Sequence, residues 1–313
     1  MKIVVTGALG HIGSRLICSL PDNFPGAEII LIDNLSTQRF CSLFNLPPHG
    51  RYRMIEADIL TADLTTIIND AAAVVHLAAV TNAEGSFENH RIVEQTNYTG
   101  TKRVAEACIL SQTPLIFLST TSVYGTQSTI VTENCSPDEL NPQSPYAESK
   151  LRAELLLQQL GQERGLRFII CRFGTIFGTS IGMRFHTAVN KFIWQACMGI
   201  PLTVWSSALD QQRPYLDLED AIRAISFIID RKLFDGQIYN VLTLNGTVRE
   251  IVSEIRELVP DLHVSLVDHQ IMNLLSYSVS CHKFRSLGFE FNGDLKRQVG
   301  NTVDLLKGVR SCN

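Results

Sequence analysis

The sequence lacks the features that would mark a membrane, secreted or nucleic-acid-binding protein. No apolar run reaches the roughly 20 residues of a membrane-spanning helix. The first residues form a strand pattern, with neither a charged segment nor a long apolar one before it. Lys and Arg number 27 against 31 Asp and Glu, a net charge of −4 without a basic stripe. We therefore expect a cytoplasmic protein that binds neither nucleic acid nor membrane.

Disulfide and metal-site patterns are also missing. The eight cysteines form no C-x-x-C pair and no grouping with histidine at metal-site spacing. We expect reduced, mostly buried thiols and no bound metal. With 313 residues and 45% apolar composition, the chain can form one large α/β unit or two closely packed domains.

Short apolar runs alternate with helical patterns through the first half of the chain. This alternation predicts a Rossmann-type α/β fold with a doubly wound parallel sheet. The predicted strands are 3–6, 27–33, 52–57, 73–77, 115–119 and 168–172, with helices at 86–110 and 146–162. The alternation fades after residue 178, where we predict a helix at 185–198 and a helix that begins after Thr247.

The fading pattern suggests two domains. We assign residues 1–178 to the larger, sheet-forming domain and 179–313 mainly to a smaller cap, with part of 213–245 able to return to the sheet.

A glycine-rich turn follows the first strand. Gly7, Gly10 and Gly13 lead into a helix, so backbone N–H groups at the helix start can approach a pyrophosphate. Their spacing differs from the usual G-x-G-x-x-G fingerprint. Asp33 ends the next strand, about 20 residues beyond the last glycine, where a carboxylate accepts both ribose hydroxyls of NAD and repels the extra phosphate of NADP. Asp58 ends the third strand, and its role is open between an adenine contact and a turn.

A tyrosine and a lysine lie four residues apart on one face of a predicted helix. The ammonium of Lys150 can lower the pKa of the Tyr146 phenol and make it usable as a base. The preceding strand ends in hydroxyl side chains from Ser119 to Ser122, at the sheet edge where open α/β folds bind ligands. With the glycine-rich turn, the pair predicts an oxidoreductase site, whereas alone it could be a pair on a helix surface.

In this order the motifs resemble the extended short-chain dehydrogenase/reductase family, and within it the NAD-dependent nucleotide-sugar epimerases and dehydratases. The resemblance covers nearly the whole chain and implies NAD as cofactor, a nucleotide-diphosphate sugar as substrate and a homodimer formed through a four-helix interface. It is carried by the segments 7–13, 33–36, 76–79, 119–125, 146–150, 213–220 and 239–241, together with Asn97.

The resemblance also implies roles for individual residues. Tyr146 takes a proton from a sugar hydroxyl while NAD accepts the hydride, Lys150 holds the nicotinamide ribose, and Thr120 hydrogen-bonds the reacting oxygen. The implied cofactor-binding residues are Gly7, Gly10, His11, Ile12, Gly13, Asp33, Asn34, Ser36, Asp58, Ile59, Leu77, Ala78, Ala79, Asn97, Tyr146 and Lys150. The implied substrate-binding residues are Thr120, Ser122, Thr175, His186, Asn190 and Arg213.

The two residues after Thr120 narrow the kind of sugar chemistry. Dehydratases of this family carry acidic residues there, whereas this chain has Thr121 and Ser122, neither of which is a useful acid or base at neutral pH. The leading hypothesis is therefore a nucleotide-sugar 4-epimerase. A 4-dehydrogenase that releases a 4-keto sugar, for example from a GDP-sugar, stays open, as does a non-catalytic dinucleotide sensor on the same fold.

Departures on the substrate side leave the nucleotide and the sugar open. Thr175 stands where the family usually has asparagine, and residues 275–278 replace an Arg-Pro-Gly-Asp segment. Residues 183–186 are candidates for lining the sugar pocket, and among them His186 is open between a second acid/base and a packing role.

Overall fold

The protein is described by a computed structural model over residues 1–125, 130–267 and 276–309. The strands are β1 (Lys2–Thr6), β2 (Glu28–Asp33), β3 (Arg51–Glu56), β4 (Ala73–His76), β5 (Leu115–Thr120), β6 (Ile130–Val131), β7 (Phe168–Phe173), β8 (Thr175–Phe177), β9 (Leu202–Trp205), β10 (Arg213–Asp217), β11 (Ile238–Val241), β12 (Leu244–Gly246), β13 (Val264–Val267) and β14 (Ser278–Val279). The helices are α1 (His11–Asn23), α2 (Leu64–Ile68), α3 (His90–Val93), α4 (Gly100–Leu110), α5 (Pro145–Arg164), α6 (Ala188–Cys197), α7 (Leu218–Arg231), α8 (Val248–Leu258), α9 (His282–Arg285) and α10 (Leu295–Leu306).

Seven parallel strands form the central sheet in the order β11-β7-β5-β4-β1-β2-β3. Strand β1 pairs with β2 on one side and with β4 on the other, so the strand order reverses there. In open α/β sheets the carboxyl ends of the strands at such a reversal form the ligand crevice. The Rossmann-type fold is thus confirmed, and each of the six predicted strands is present to within one residue at either end.

Both faces of the sheet are covered by helices. Ile3 and Val5 of β1 pack with α1 and α7 on one face, whereas Val4 packs with α2, α4 and α5 on the other. Burial of each such side chain contributes about 1.5–3 kcal/mol. This double burial explains why the strands read as continuous apolar runs.

A further apolar cluster lies outside the central sheet. It joins α6, α8 and α10 with β9 and β10, next to the small sheets β12-β10-β8 and β13-β9. Within 213–245, strands β10 and β12 belong to this cap, whereas β11 pairs with β7 in the central sheet. The domain boundary at residue 178 stays a prediction.

Two predicted helices begin later than the sequence pattern indicated. Residues 86–89 lie in turns, and the predicted helix 86–110 consists of α3, a π-helical turn at Glu94–Thr99 and α4. The predicted helix 185–198 begins at Ala188, so His186 precedes it. The Thr247–Glu250 capping box is confirmed. Across the three described ranges, no helix is long and apolar enough to span a membrane.

Candidate active site

The glycine-rich turn is shaped by close backbone approaches. Gly7 has φ +66°, and a Cβ there would lie 2.6 Å from the backbone nitrogen of Ala78. A Cβ on Gly13 would lie 2.5 Å from the carbonyl oxygen of Gly7. Helix α1 follows with Gly10 at its N-cap, so no side chain caps its first N–H groups. Such an uncapped helix start, reached without an intervening Cβ, fits a pyrophosphate.

Asp33 is fixed beside this turn at the end of β2. Its two carboxylate oxygens accept hydrogen bonds from the backbone N–H groups of Leu9 and Leu35, each at 3.0 Å. The structure therefore supports the predicted ribose site, because the carboxylate is held next to the phosphate-binding turn.

Three other predicted cofactor residues form a chain of contacts at the ends of β2 and β3. The side chain of Asn34 donates to Asp58 at 3.0 Å and accepts from the N–H of Ser36 at 3.1 Å. Asp58 also accepts from Leu60 N at 2.8 Å, so it has the turn role that the sequence left open. The Ile59 side chain is buried in the core below, so any cofactor contact there would come from its backbone.

A cavity of about 380 Å³ lies at the carboxyl edge of the sheet. It brings together most of the predicted cofactor, catalytic and substrate residues. Those that line it are Gly7, Gly10, His11, Ile12, Gly13, Leu77, Ala79, Thr120, Ser122, Tyr146, Lys150, Thr175 and His186. The predicted residues outside its lining are Asp33, Asn34, Ser36, Asp58, Ile59, Ala78, Asn97, Asn190 and Arg213.

Tyr146 and Lys150 stand in the first turns of α5. The helix begins there because Ser144 caps it, accepting from Ala147 N, and Pro145 occupies its first position. Lys150 is buried, its Nζ 2.8 Å from the carbonyl oxygen of Leu118. The catalytic helix is thereby tied to the end of β5, the strand that carries Thr120.

Opposing effects act on the pKa of Tyr146. Burial raises the pKa of its phenol, while a hydrogen bond with Thr120 and the charge of Arg184 act to lower it. The ammonium of Lys150 contacts the Leu118 carbonyl oxygen and lies 4.6 Å from the centre of the Phe117 ring. Burial lowers the pKa of Lys150 itself to about 8.

Asn97 is fully buried in the π-helical turn and does not line the cavity. Its amide pairs with both backbone groups of Val80, at 2.8 and 2.9 Å, and donates to Ser149 Oγ at 3.0 Å. Ser149 in turn donates to the carbonyl oxygen of Tyr146 at 2.7 Å. Asn97 thus joins the loop after β4 to the catalytic helix, and it would act on a cofactor through these neighbours.

Among the predicted substrate residues, Asn190 and Arg213 lie outside the cavity. The Asn190 side chain is fully buried beneath the segment that precedes α6. Arg213 donates to Gln212 O at 3.0 Å and Gln211 Oε1 at 2.7 Å, and it lies 5.6 Å from the Tyr277 ring centre. Of residues 275–278, which replace the family's Arg-Pro-Gly-Asp segment, Leu275 lies outside the described residues.

Arg184 lines the cavity close to Tyr146, in the segment 183–186 that was a candidate for the sugar pocket. Sequence reasoning missed one part of this site. Glu154 and Arg172 form a buried ion pair below the site at 2.6 Å. Glu154 lies four residues after Lys150, and this helical spacing is the signal that could have found it.

The parallel sheet, glycine-rich turn, ribose acid and Thr120–Tyr146–Lys150 group define a dinucleotide-dependent enzyme of the short-chain dehydrogenase/reductase type. Residues 3–241 match the family described as NAD dependent epimerase/dehydratase, and the chain belongs to this family. NAD is accordingly its cofactor, and the glycine turn and Asp33 fit it.

Several known proteins are similar to this chain. An uncharacterized UDP-glucose epimerase of Bacillus subtilis, YtcB, is 31% identical over 84% of this chain and 82% of its own length. A trifunctional UDP-glucose 4,6-dehydratase, epimerase and reductase of Arabidopsis thaliana is 28% identical over 97% of this chain, which spans only 46% of that protein. The solved UDP-glucuronic acid 4-epimerase from Bacillus cereus, in complex with UDP-glucuronic acid and NAD, is 25% identical with a TM-score of 0.87, covering 98% of this chain and 99% of that one.

Proposed function

We propose that the protein is an NAD-dependent 4-epimerase of a nucleotide-diphosphate sugar. The observation that carries the proposal is the cavity that brings Thr120, Tyr146 and Lys150 together at the carboxyl edge of the sheet. Reversible oxidation needs a base, a hydrogen-bond donor at the reacting oxygen and a hydride acceptor held nearby. The chain supplies the first two.

NAD, when bound, would supply the acceptor for the hydride of the sugar carbon. Tyr146 removes the proton from the C4 hydroxyl, and Thr120 hydrogen-bonds the same oxygen as it becomes a carbonyl. Burial raises the pKa of the phenol, and the hydrogen bond with Thr120 and the charge of Arg184 offset part of this rise. After the keto sugar rotates in the cavity, the hydride would return to the opposite face of C4, and Tyr146 would return the proton to the C4 oxygen.

The residues after Thr120 favour epimerisation over loss of water. Thr121 Oγ1 donates to the carbonyl oxygen of Phe173 at 3.3 Å, and Ser122 N donates to Thr120 Oγ1 at 3.1 Å. Neither side chain is acidic. Within the described lining residues the one carboxylate is that of Glu84, which follows β4 and not β5.

UDP-hexoses and UDP-hexuronic acids are the proposed substrates. The proposal is supported by the similarity to the UDP-glucose epimerase relative and to the glucuronic acid 4-epimerase structure. The cavity lining includes the hydroxyl of Thr175, which can hydrogen-bond a sugar hydroxyl or carboxylate.

The proposal is tested by incubating the purified protein with a panel of UDP-, GDP- and CDP-sugars, including UDP-glucose and UDP-glucuronic acid. NMR should show inversion at C4 for at least one UDP-sugar. Failure to turn over any member would refute it. A 4-dehydrogenase would instead release a keto sugar together with stoichiometric NADH.

We also propose a homodimer through α4 and α5. Leu110 and Leu155 on these helices are 67% and 56% exposed, and an interface there would remove both apolar side chains from water.

A further inference from the structure

A segment of the cap lies directly against the glycine-rich turn. Gly182 N donates to Ser14 Oγ at 3.0 Å, and a Cβ on Gly182 would lie 2.5 Å from Leu9 O and 2.6 Å from Gly10 O. Ser180 Oγ donates to the carbonyl oxygen of His11 at 2.8 Å. The segment 180–182 is therefore seated on the turn that would receive a pyrophosphate.

Asn190 fixes the path of this segment. Its buried side chain accepts from Gly178 N at 3.4 Å and donates to Arg184 O at 3.1 Å. The backbone is thus held both where the segment leaves β8 and two residues beyond Gly182. These two hydrogen bonds fix the backbone position from which the Arg184 side chain reaches the cavity wall.

Basic side chains meet at this wall. Burial and the nearby charge of Arg39 lower the pKa of Arg184 to about 10. Partial burial, and then the charges of Arg184 and Arg39, lower the pKa of His186 to about 4. Over residues 1–125, 130–267 and 276–309, no carboxylate forms an ion pair with Arg184, whereas the charge of Asp33 acts on Arg39. The charge of Arg184, which lines the cavity, favours an anionic ligand there.

An unpartnered ring nitrogen lies in the same cavity. His11 is 8% exposed and lines the cavity, and its Nε2 has no hydrogen-bond partner among the described residues. A buried polar atom without a partner costs about 1–3 kcal/mol, so such atoms usually meet a ligand or water. Its other ring nitrogen is 3.0 Å from Ser180 Oγ.

We infer that Arg184 is a diphosphate ligand, which the cap places over the glycine-rich turn so that both domains hold the same anion. The ligand chemistry is a diphosphate ester, either that of the dinucleotide or that of the nucleotide sugar. The glycine turn beneath Arg184 favours the dinucleotide. A planar guanidinium suits this task because it offers a fork of donors.

The test compares Arg184→Met with the wild-type holoenzyme without measuring turnover. NAD release is followed by mass spectrometry after addition of isotopically labelled NAD, and UDP binding by calorimetry. Loss of a charge-assisted contact should speed NAD release roughly 10- to 100-fold while UDP affinity stays within about twofold. A loss of UDP affinity alone would assign Arg184 to the nucleotide sugar.

Two further variants complete the test. Lys191→Met removes the same charge from an exposed position outside the cavity lining, and it should change neither quantity. Arg184→Lys keeps the charge, so NAD should be released from this variant almost as slowly as from the wild type. The inference is overturned if Arg184→Met changes neither ligand, or if Lys191→Met has an equal effect. The inference about Arg184 rests on the proposed function only in assuming that the protein binds NAD and a nucleotide sugar. A protein that binds NAD but is inactive could still confirm the inference.

Discussion

Arg172 forms a two-pronged ion pair with Glu154 inside the protein, with Nη2 2.6 Å from one carboxylate oxygen and Nε 3.0 Å from the other. Both side chains are at most 2% exposed. Ser119 donates to the same carboxylate, and Arg172 donates to Tyr124, whose hydroxyl reaches Asn240 at 2.7 Å. The network joins α5 to β5, β7 and β11, and so holds the catalytic helix against the sheet.

We predict that Glu154→Gln destabilises the protein by about 3–5 kcal/mol, because Arg172 would be left buried without its counter-charge. Urea unfolding measures this loss. Glu148→Gln, on the exposed side of the same helix, should cost less than about 0.5 kcal/mol. The double variant Glu154→Leu, Arg172→Met should recover much of the stability. The account would be contradicted if Glu154→Gln were as stable as Glu148→Gln.

Lys150 should couple activity and stability to pH with opposite signs. Its pKa is lowered from 10.5 to about 8 by burial, so the ammonium that holds the ribose is lost, and turnover falls, as pH rises through about 8. Between pH 8 and 10.5, Lys150 keeps its proton in the unfolded chain and loses it in the folded one. The free energy of unfolding should therefore rise with pH, by roughly 1.5 kcal/mol between pH 8 and 9.5.

Urea unfolding at both pH values, for the wild type and for Lys150→Met, isolates this contribution. The variant should lack the rise. An equal pH dependence in the two proteins would show that Lys150 is not the group responsible.

Removal of the Tyr146 hydroxyl should abolish turnover without releasing the cofactor. General acid–base catalysis contributes typically 10²–10⁴-fold, so we expect Tyr146→Phe to lower kcat by roughly this factor. NAD content, measured after denaturation, should stay at the wild-type level. Tyr98→Phe is the matched control, because Tyr98 stacks with Arg152 outside the cavity. A Tyr146→Phe variant with wild-type turnover would exclude the tyrosine as the base.

The proposed dimer makes Leu155 a buried interface residue. Leu155→Glu would place a charge in that interface, and we expect a monomer by light scattering at micromolar concentration. Leu258→Glu, on α8 and also exposed, should leave the dimer intact. A wild-type monomer would contradict the proposed interface.

The sequence predicted the parts of the fold that depend on local patterns. Apolar runs, the glycine turn and the Thr247 capping box each depend on adjacent residues, so their positions were confirmed. The predicted start of α6 at residue 185 was wrong, since the helix begins at Ala188. The hydrogen bond from Asn190 to the carbonyl oxygen of Arg184 is a contact that the local sequence pattern does not reveal.

Long-range contacts account for what the sequence did not predict. The helical spacing of Tyr146 and Lys150 predicts that they share a helix face, but not which groups from other elements contact them. The Leu118 carbonyl that engages Lys150 comes from β5, and Arg184 approaches Tyr146 from the cap. Such electrostatics depend on distances between elements, and these are set only once the chain has folded.

The central claim is reversible hydride transfer at C4, and a deuterium label at that carbon tests it most directly. A UDP-sugar deuterated at C4 is incubated with the holoenzyme in ordinary water, and the product is examined by NMR and mass spectrometry. We predict a C4-inverted sugar that keeps its deuterium at C4, with no hydrogen exchange at C5. Release of a keto sugar with deuterated NADH, or loss of water with exchange at C5, would contradict the account.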